Sequence, residues 1–315
     1  TNTLILNQKG KLSMTQIKRK AMTNSNYLKL ACPLLLCLFS PLILAQQVAT
    51  APVVVADSAS KDEPAADSST EDSAAELAKK LANPVANLIS VPIQYTWTDG
   101  FGPEEANQNK LIVQPVTPVS INKDWNMIIR TIMPLYIDQQ SPTVGGQDVS
   151  GVGDILQSFF FSPKELTKNG WVWAVGPVFN YATASNDLLG SGKWSAGPTA
   201  LALKQKNGST VGILANQLWS FAGSDNQADV SSMFLQPFFA HTTKKYTTYG
   251  INTQSTYNWE TNEWTVPIYL QVSQLVKIHK KPVSFQLSYI NYVEAPENGP
   301  DWGLQFTVTL LYPKK

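Results

Sequence analysis

From about residue 88 onward, apolar and polar side chains alternate in short runs separated by clusters of Gly, Asn, Asp and Lys. The last run is the clearest. Trp302, Leu304, Phe306, Val308, Leu310 and Tyr312 fall on one face, and Gly303, Gln305, Thr307 and Thr309 on the other. A period of two over that length is a strand signal, because a helix turning about 100° per residue would mix the two sets. Trp264, Val266, Ile268, Leu270 and Val272 alternate in the same way with Thr265, Tyr269, Gln271 and Ser273. So do Val283, Phe285, Leu287 and Tyr289 with Ser284, Gln286 and Ser288, and Val91, Ile93, Tyr95 and Trp97 with Gln94 and Thr96.

The pattern predicts strands at about 88–98, 109–121, 124–137, 152–162, 170–182, 194–204, 209–220, 230–240, 245–257, 263–277, 282–293 and 301–312. These make twelve, an even number, as a single-chain bacterial outer-membrane barrel requires. Strands of roughly ten to fifteen residues suit tilted spans of a bilayer, whereas soluble sandwiches favour ~5–6. The expected fold is all-β: a closed antiparallel transmembrane β-barrel of about twelve strands, preceded by a disordered or short-helical periplasmic segment.

The connections alternate too. Those after odd strands, such as 99–108, 138–151, 183–193, 221–229 and 294–300, are mostly long and acidic or neutral. Those after even strands, such as Asn122-Lys123 and Lys206-Asn207-Gly208, are mostly short and Lys-rich, with Ser162 to Asn169 the exception. Outer-membrane barrels place short turns in the periplasm and longer loops outside. Tryptophan agrees: Trp97, Trp194, Trp219, Trp259, Trp264 and Trp302 fall at the loop ends of their strands, and Trp125, Trp171 and Trp173 near the turn ends. Such placement matches the aromatic girdles of a membrane barrel, because the indole ring is apolar while its N–H wants a partner.

Upstream the texture differs. Leu30 to Leu44 is the one long apolar run, preceded by Lys18, Arg19, Lys20 and Lys29 and followed by Ala45, which reads as a leader and signal peptide over 1–45. A membrane anchor is the alternative, disfavoured by Pro33, Pro41 and the shortness of the run. Both cysteines, Cys32 and Cys37, lie inside it, so cleavage after Ala45 leaves no thiol for disulfides, metal ligation or nucleophilic chemistry. Residues 46–87 are expected to be a low-complexity periplasmic segment, with one short helix over 71–82 that is either a solvated spacer or a plug entering the barrel. The barrel is expected over 88–315.

Composition narrows the function. Lys+Arg 24 against Asp+Glu 23 offers no basic surplus, so no nucleic-acid partner is expected. Charged residues are 15% of the chain, below the ~25% of soluble domains, and aromatics reach 10%. A slightly negative mean hydropathy excludes a bundle of transmembrane helices.

Proline interrupts the predicted strands at Pro92, Pro115, Pro118, Pro134, Pro177, Pro198, Pro237 and Pro267, where the missing N–H predicts bulges or kinks. These prolines sit in an ordered series: Asn83-Pro-Val-Ala-Asn-Leu-Ile-Ser-Val-Pro92, Val113-Gln-Pro-Val116, Arg130-Thr-Ile-Met-Pro134, Gly151-Val-Gly-Asp154, Trp173-Ala-Val-Gly-Pro177, Trp194-Ser-Ala-Gly-Pro198, Trp219-Ser-Phe-Ala222, Leu235-Gln-Pro-Phe238, Trp264-Thr-Val-Pro267 and Leu310-Leu-Tyr-Pro313. Over residues ~77–315 the series resembles the transporter-like outer-membrane proteins grouped with the MetA pathway of phenol degradation, some of which carry the mistaken label neuromedin U. The resemblance implies a Gram-negative outer-membrane barrel with a role in transport, and no agreed catalytic residues. One departure is the end of the chain, where Pro313-Lys-Lys315 follows Tyr312 in place of a terminal aromatic. That makes the signal to the barrel-assembly machinery less standard.

Chemistry is sparse. A lipid-modifying barrel enzyme would need an imidazole base near the outer rim, yet His241 and His279 fall at turns, so no enzyme activity is expected. Glu104, Glu105, Asp148, Asp154, Asp225 and Asp229 lack metal-binding spacing, and Gly145-Gly146 and Gly151-Val-Gly153 read as turn punctuation, so neither metal nor cofactor is expected. What remains is the lumen. Strand phase assigns it Gln94, Gln114, Arg130, Asn180, Gln236, Gln271, Gln286 and Gln305, a mostly neutral polar set. Arg130, mid-strand, would cost ~2–4 kcal/mol facing lipid, and inside it either closes an internal salt bridge or offers a fixed charge to anionic solutes. The expected function is an outer-membrane passive channel or transporter for small, aromatic or weakly polar solutes, with outer-membrane lipid as its surroundings. The alternatives are a non-conducting barrel acting through its outer loops and, third, a lipid-modifying enzyme.

Overall fold

The computed structural model describes Leu77, residues 80–83, Val85, Ala86, and residues 88–141, 145–279 and 281–313. The expected signal peptide and nearly all of the 46–87 segment lie outside them. Leu77, Lys80 and Leu81 are helical, within the stretch where a short helix is expected.

Fifteen strand segments follow: β1 (Leu88–Phe101), β2 (Ala106–Val113), β3 (Val116–Ser120), β4 (Trp125–Gln139), β5 (Val149–Val152), β6 (Ile155–Pro163), β7 (Trp171–Tyr181), β8 (Lys193–Lys206), β9 (Ser209–Gly223), β10 (Ser231–Thr242), β11 (Thr247–Thr253), β12 (Ser255–Asn258), β13 (Glu263–Ile278), β14 (Lys281–Glu294) and β15 (Trp302–Pro313). β2 with β3, β5 with β6, and β11 with β12 are single staves, each interrupted by one or two residues, so the segments make twelve staves. All pair antiparallel with their neighbours in sequence, and β15 pairs β1 to close the cylinder. Closure satisfies every edge, which a sheet in lipid requires.

Residues opposite each other in an antiparallel ladder share a face, so the register sorts the two sides of the wall. One row runs Tyr249, Val272, Leu287, Phe306, Tyr95, Leu111, Leu135 and Val152 around eight staves. All but Leu111 are large apolar side chains exposed at the surface. The adjacent row, one residue along, runs Gly250, Gln271, Ser288, Gln305, Thr96, Lys110 and Tyr136. Ser288 in it has no exposure, and Gln305 and Thr96 are buried. Exposed apolar outside and buried polar inside is the arrangement of a barrel whose solvent is lipid.

The tight turn between β8 and β9 follows directly from its sequence. Asn207 and Gly208 take φ of 52° and 76°, which two-residue hairpins need to match strand twist and which Asn-Gly adopts at least cost. The prolines disturb the ladder in several ways. Pro267 sits at a register shift between β13 and β14, and Pro115 marks the gap between β2 and β3. At Pro134 the partner of β4 changes from β6 to β5 with a one-residue offset. Pro177 and Pro198 face each other across β7 and β8. On their far sides the pairs stop and resume in unchanged register, between Ser158↔Val178 and Phe161↔Val175 and between Ala196↔Trp219 and Thr199↔Asn216. Pro237 keeps its register with β9 and lies where the pairing with β11 and β12 is interrupted, between Phe238↔Asn252 and Leu235↔Ser255. Pro92 and Pro118 also stay in register, opposite Thr309 and Ile128. A missing N–H thus removes ladder bonds everywhere but inserts a bulge at only some sites, where the neighbouring backbone can absorb an extra residue.

The aromatic girdles are paired. Trp97 meets Trp302 edge-on with ring centroids 4.8 Å apart, Tyr257 touches both Trp259 (4.6 Å) and Trp264 (4.9 Å), and Trp125 meets Trp173 at 5.7 Å.

Candidate functional site

On β1, β13, β14 and β15 the inner wall carries a polar network: Gln305 Nε2 donates to Thr96 Oγ1 at 3.0 Å, and Gln286 Nε2 to Gln271 Oε1 at 3.3 Å and to Ser288 Oγ at 3.1 Å. Asn252 Nδ2 of β11 also donates to Gln271. On β3, β4 and β6 to β9 many inner residues are apolar, beside the polar Arg130, Ser158, Asn180 and Thr199. Val116, Ile128, Phe160, Ala174, Leu201, Leu203 and Leu214 form one buried cluster, with Phe234 and Phe238 of β10 packed against it. The residues expected on the inner face thus share it with an apolar cluster. The sequence did not single out that cluster, because several of these staves carry apolar residues on both faces.

Val85, from the segment preceding β1, belongs to that same cluster and is 6% exposed. A second cluster joins Leu77 to Leu88, Leu275 and Leu311, with Leu81, Ala86 and Tyr246 alongside. Leu311 pairs across from Ser90 near the start of β1, so the segment packs inside the turn end of the barrel. The apolar cluster gives it a dry surface to pack on; burying a side chain such as Val or Leu is worth about 1.5–3 kcal/mol.

Between segment and wall lies a cavity of about 200 Å³. The segment contributes Lys80, Leu81, Asn83 and Ala86, and the wall Leu88, Ser90, Pro92, Gln114, Val116, Arg130, Phe160, Leu214 and Gln236. Arg130 pairs across from Val116 and Ser158 on the inner face. Its Nη2 donates to Gln114 Oε1 at 3.5 Å, and its buried Nε has no hydrogen-bond partner. No ion pair to Arg130 exists among the described residues. Of the eight residues assigned to the lumen by strand phase, Arg130, Gln114 and Gln236 thus meet in one cavity. Gln271, Gln286 and Gln305 belong to the polar network. Gln94 pairs with Thr307 and Ile112 on the same face.

Asn180, the eighth, belongs to a different structure at the loop end. Asp154, in the gap between β5 and β6, accepts five hydrogen bonds there. They come from the backbone N–H groups of Thr183 (3.1 Å), Ala184 (3.1 Å) and Ser191 (2.7 Å), from Ser191 Oγ (2.7 Å) and from Asn180 Nδ2 (3.3 Å). The loop 182–192 is thereby folded onto the inner side of the wall. Leu189 is 3% exposed, and a Cβ on Gly153 would lie 3.0 Å from the Leu189 carbonyl and 2.9 Å from Pro134. The Gly151-Val-Gly153 run read as punctuation thus leads into a loop anchor, Asp154. Its signal in the sequence was one acid after the second glycine, which spacing alone does not distinguish from the other loop acids.

The remaining charges are local. Lys110 Nζ lies 5.6 Å from the Tyr136 ring centroid on the inner face. Lys193 Nζ pairs with Asp229 at 3.0 Å and ties the loop after β9 to the start of β8. His241 Nδ1 and Ser209 Oγ are 2.9 Å apart at the turn end, in an exposed pair. Among the described residues no three His, Cys, Asp or Glu side chains converge as metal ligands.

No family model matches the sequence, and no curated protein matches it. Solved structures do match. The COG4313 outer membrane channel from Pseudomonas putida F1 is similar over 71% of this chain and 94% of its own, with TM-score 0.56 and 15% identity. The β domain of the Bordetella autotransporter BrkA aligns over 72% of this chain and 100% of its own, with TM-score 0.39 and 8% identity. The first of these likenesses is one of fold: an outer-membrane β-barrel.

Proposed function

We propose that this chain is an outer-membrane channel for small, weakly polar or aromatic solutes, exported by its signal peptide and closed at its turn end by the segment around Val85. The finer kinship, with the transporter group of the MetA pathway of phenol degradation, belongs to the same proposal. The observation that carries it is the cavity in the bore, bounded on one side by the wall residues Gln114, Arg130, Phe160, Leu214 and Gln236 and on the other by Lys80, Leu81, Asn83 and Ala86. A bore filled only to exclude water would have its side chains in contact throughout. A mixed lining of aromatic, aliphatic and amide groups suits solutes with an apolar body and few polar atoms. Gln94, Asn180, Gln271, Gln286 and Gln305 would complete the path toward the loops, with the turn end facing the periplasm.

One observation favours the second reading, a non-conducting barrel: Val85 and Leu77 are packed into apolar clusters with the wall. Deleting residues 71–87 separates the two. Liposome swelling with arabinose should be slow for the full chain and several-fold faster for the deletion. Equally slow rates, with the barrel folded, would favour the structural reading.

A further inference from the structure

We infer that the cavity at Arg130 is a binding site for the carboxylate of a small apolar acid, with the guanidinium as its anchor. The inference names a solute class for the channel proposed above and rests on that reading only for how the solute arrives. A guanidinium carries five N–H donors in a planar fork. Arg130 spends one on Gln114 at the long distance of 3.5 Å, and its Nε is buried without any partner. A charge so placed is stabilised by an anion that accepts two parallel hydrogen bonds, which a carboxylate does. Among the described residues none is supplied: no Asp or Glu lines the cavity with Arg130.

The rest of the lining sets the ligand's shape. Gln114 and Gln236 place side-chain amides in the same space, and Gln236 makes no side-chain hydrogen bond among the described residues, so its amide can donate to an incoming oxygen. Phe160, Leu214, Val116 and Leu88 make the remainder apolar. Inorganic phosphate or sulfate would leave hydrated oxygens against those side chains, at the cost of desolvating them. A ligand with one carboxylate and an apolar body meets both halves. About 200 Å³ is the liquid volume of roughly seven waters, room for an aromatic monocarboxylate but not for a long acyl chain lying wholly inside.

The test is isothermal titration of the full chain, folded in detergent, with benzoate, with benzyl alcohol as its uncharged counterpart, and with inorganic phosphate. Benzoate should bind at least about tenfold more tightly than either. Arg130→Gln should reduce benzoate to the level of benzyl alcohol, and Arg130→Lys, which keeps the charge and loses the fork, should fall between. Folding of each variant is read from heat-modifiable gel migration. Should Arg130→Gln fail to fold, Gln236→Leu decides, with benzoate weakened several-fold and benzyl alcohol unchanged. Benzoate and benzyl alcohol binding alike, no binding of benzoate, or benzoate binding unaltered in the variants would overturn the inference. Liposome swelling of the 71–87 deletion with arabinose separates this from the channel reading. Benzoate binding by the full chain without flux through the deletion leaves the site and removes the channel, whereas flux without selective benzoate binding leaves the channel and removes the site.

Discussion

Asp154 shows how much one side chain organises here. Its two oxygens accept five hydrogen bonds and hold a loop of eleven residues, 182–192, against the inside of the wall. Hydrogen bonds to a charged group are each worth ~1.5–3 kcal/mol, enough together to decide whether a loop is ordered. Asp154→Asn keeps the size, removes the charge and turns one acceptor into a donor facing other donors. The expected outcome is faster proteolytic nicking within 182–192 and a larger single-channel conductance, with the barrel intact; unchanged protection of the loop would contradict the role. Arg130 is the opposite case, a charge with too few partners rather than many. That it lies mid-strand was legible in the sequence. That no acid among the described residues pairs with it depends on which staves are neighbours.

Among the elements, loops and staves obey different rules. Loop 224–230 is attached to β8 by Lys193, whose ammonium bonds Asp229 at 3.0 Å while Ser220 Oγ donates to the same carboxylate. The hydrogen bond and the charge of Lys193 hold the Asp229 carboxyl below the usual range, with Ser220 adding to the effect. A depressed folded-state pKa means the attachment is complete above the ordinary Asp value of about 3.9 and is lost as pH falls further through the lowered one. Hydrogen exchange of the 224–230 amides should therefore be constant from neutral pH down to about 4, after correction for intrinsic rates, and rise below it; Asp229→Asn should remove the step. The staves themselves were legible as elements because alternation needs only the local chain. Their interruptions were legible as positions, through proline, but not as geometry. Whether a proline yields a bulge, as at Pro267, or a gap in unchanged register, as at Pro177 and Pro198, depends on the neighbouring strand.

At the scale of the whole molecule the decisive property is which face meets which solvent. Leu270 and Gln271 are consecutive on β13, one in the exposed apolar row and the other in the polar inner network. Leu270→Arg should destabilise the folded barrel by ~2–4 kcal/mol if that residue sits near mid-bilayer, measured by denaturant unfolding in lipid vesicles. Gln271→Arg, inside the bore, should cost distinctly less. Equal costs would show that the outer face does not lie in lipid. The gathering of inner apolar side chains from several staves into one cluster also belongs to this scale, since it exists only once the staves close on one another.

The sequence by itself determined the twelve strands, their antiparallel order, the outer apolar face and the aromatic ends, because each follows from a period of two, turn chemistry and the solvent preference of single side chains. Tertiary structure alone decided that Val85 packs among Ile128, Phe160 and Leu203, that Asp154 holds a loop, and that Arg130 faces a cavity with no acid among the described residues. Those contacts join residues dozens of positions apart, and closure of the cylinder, which no local pattern encodes, is what brings them within reach.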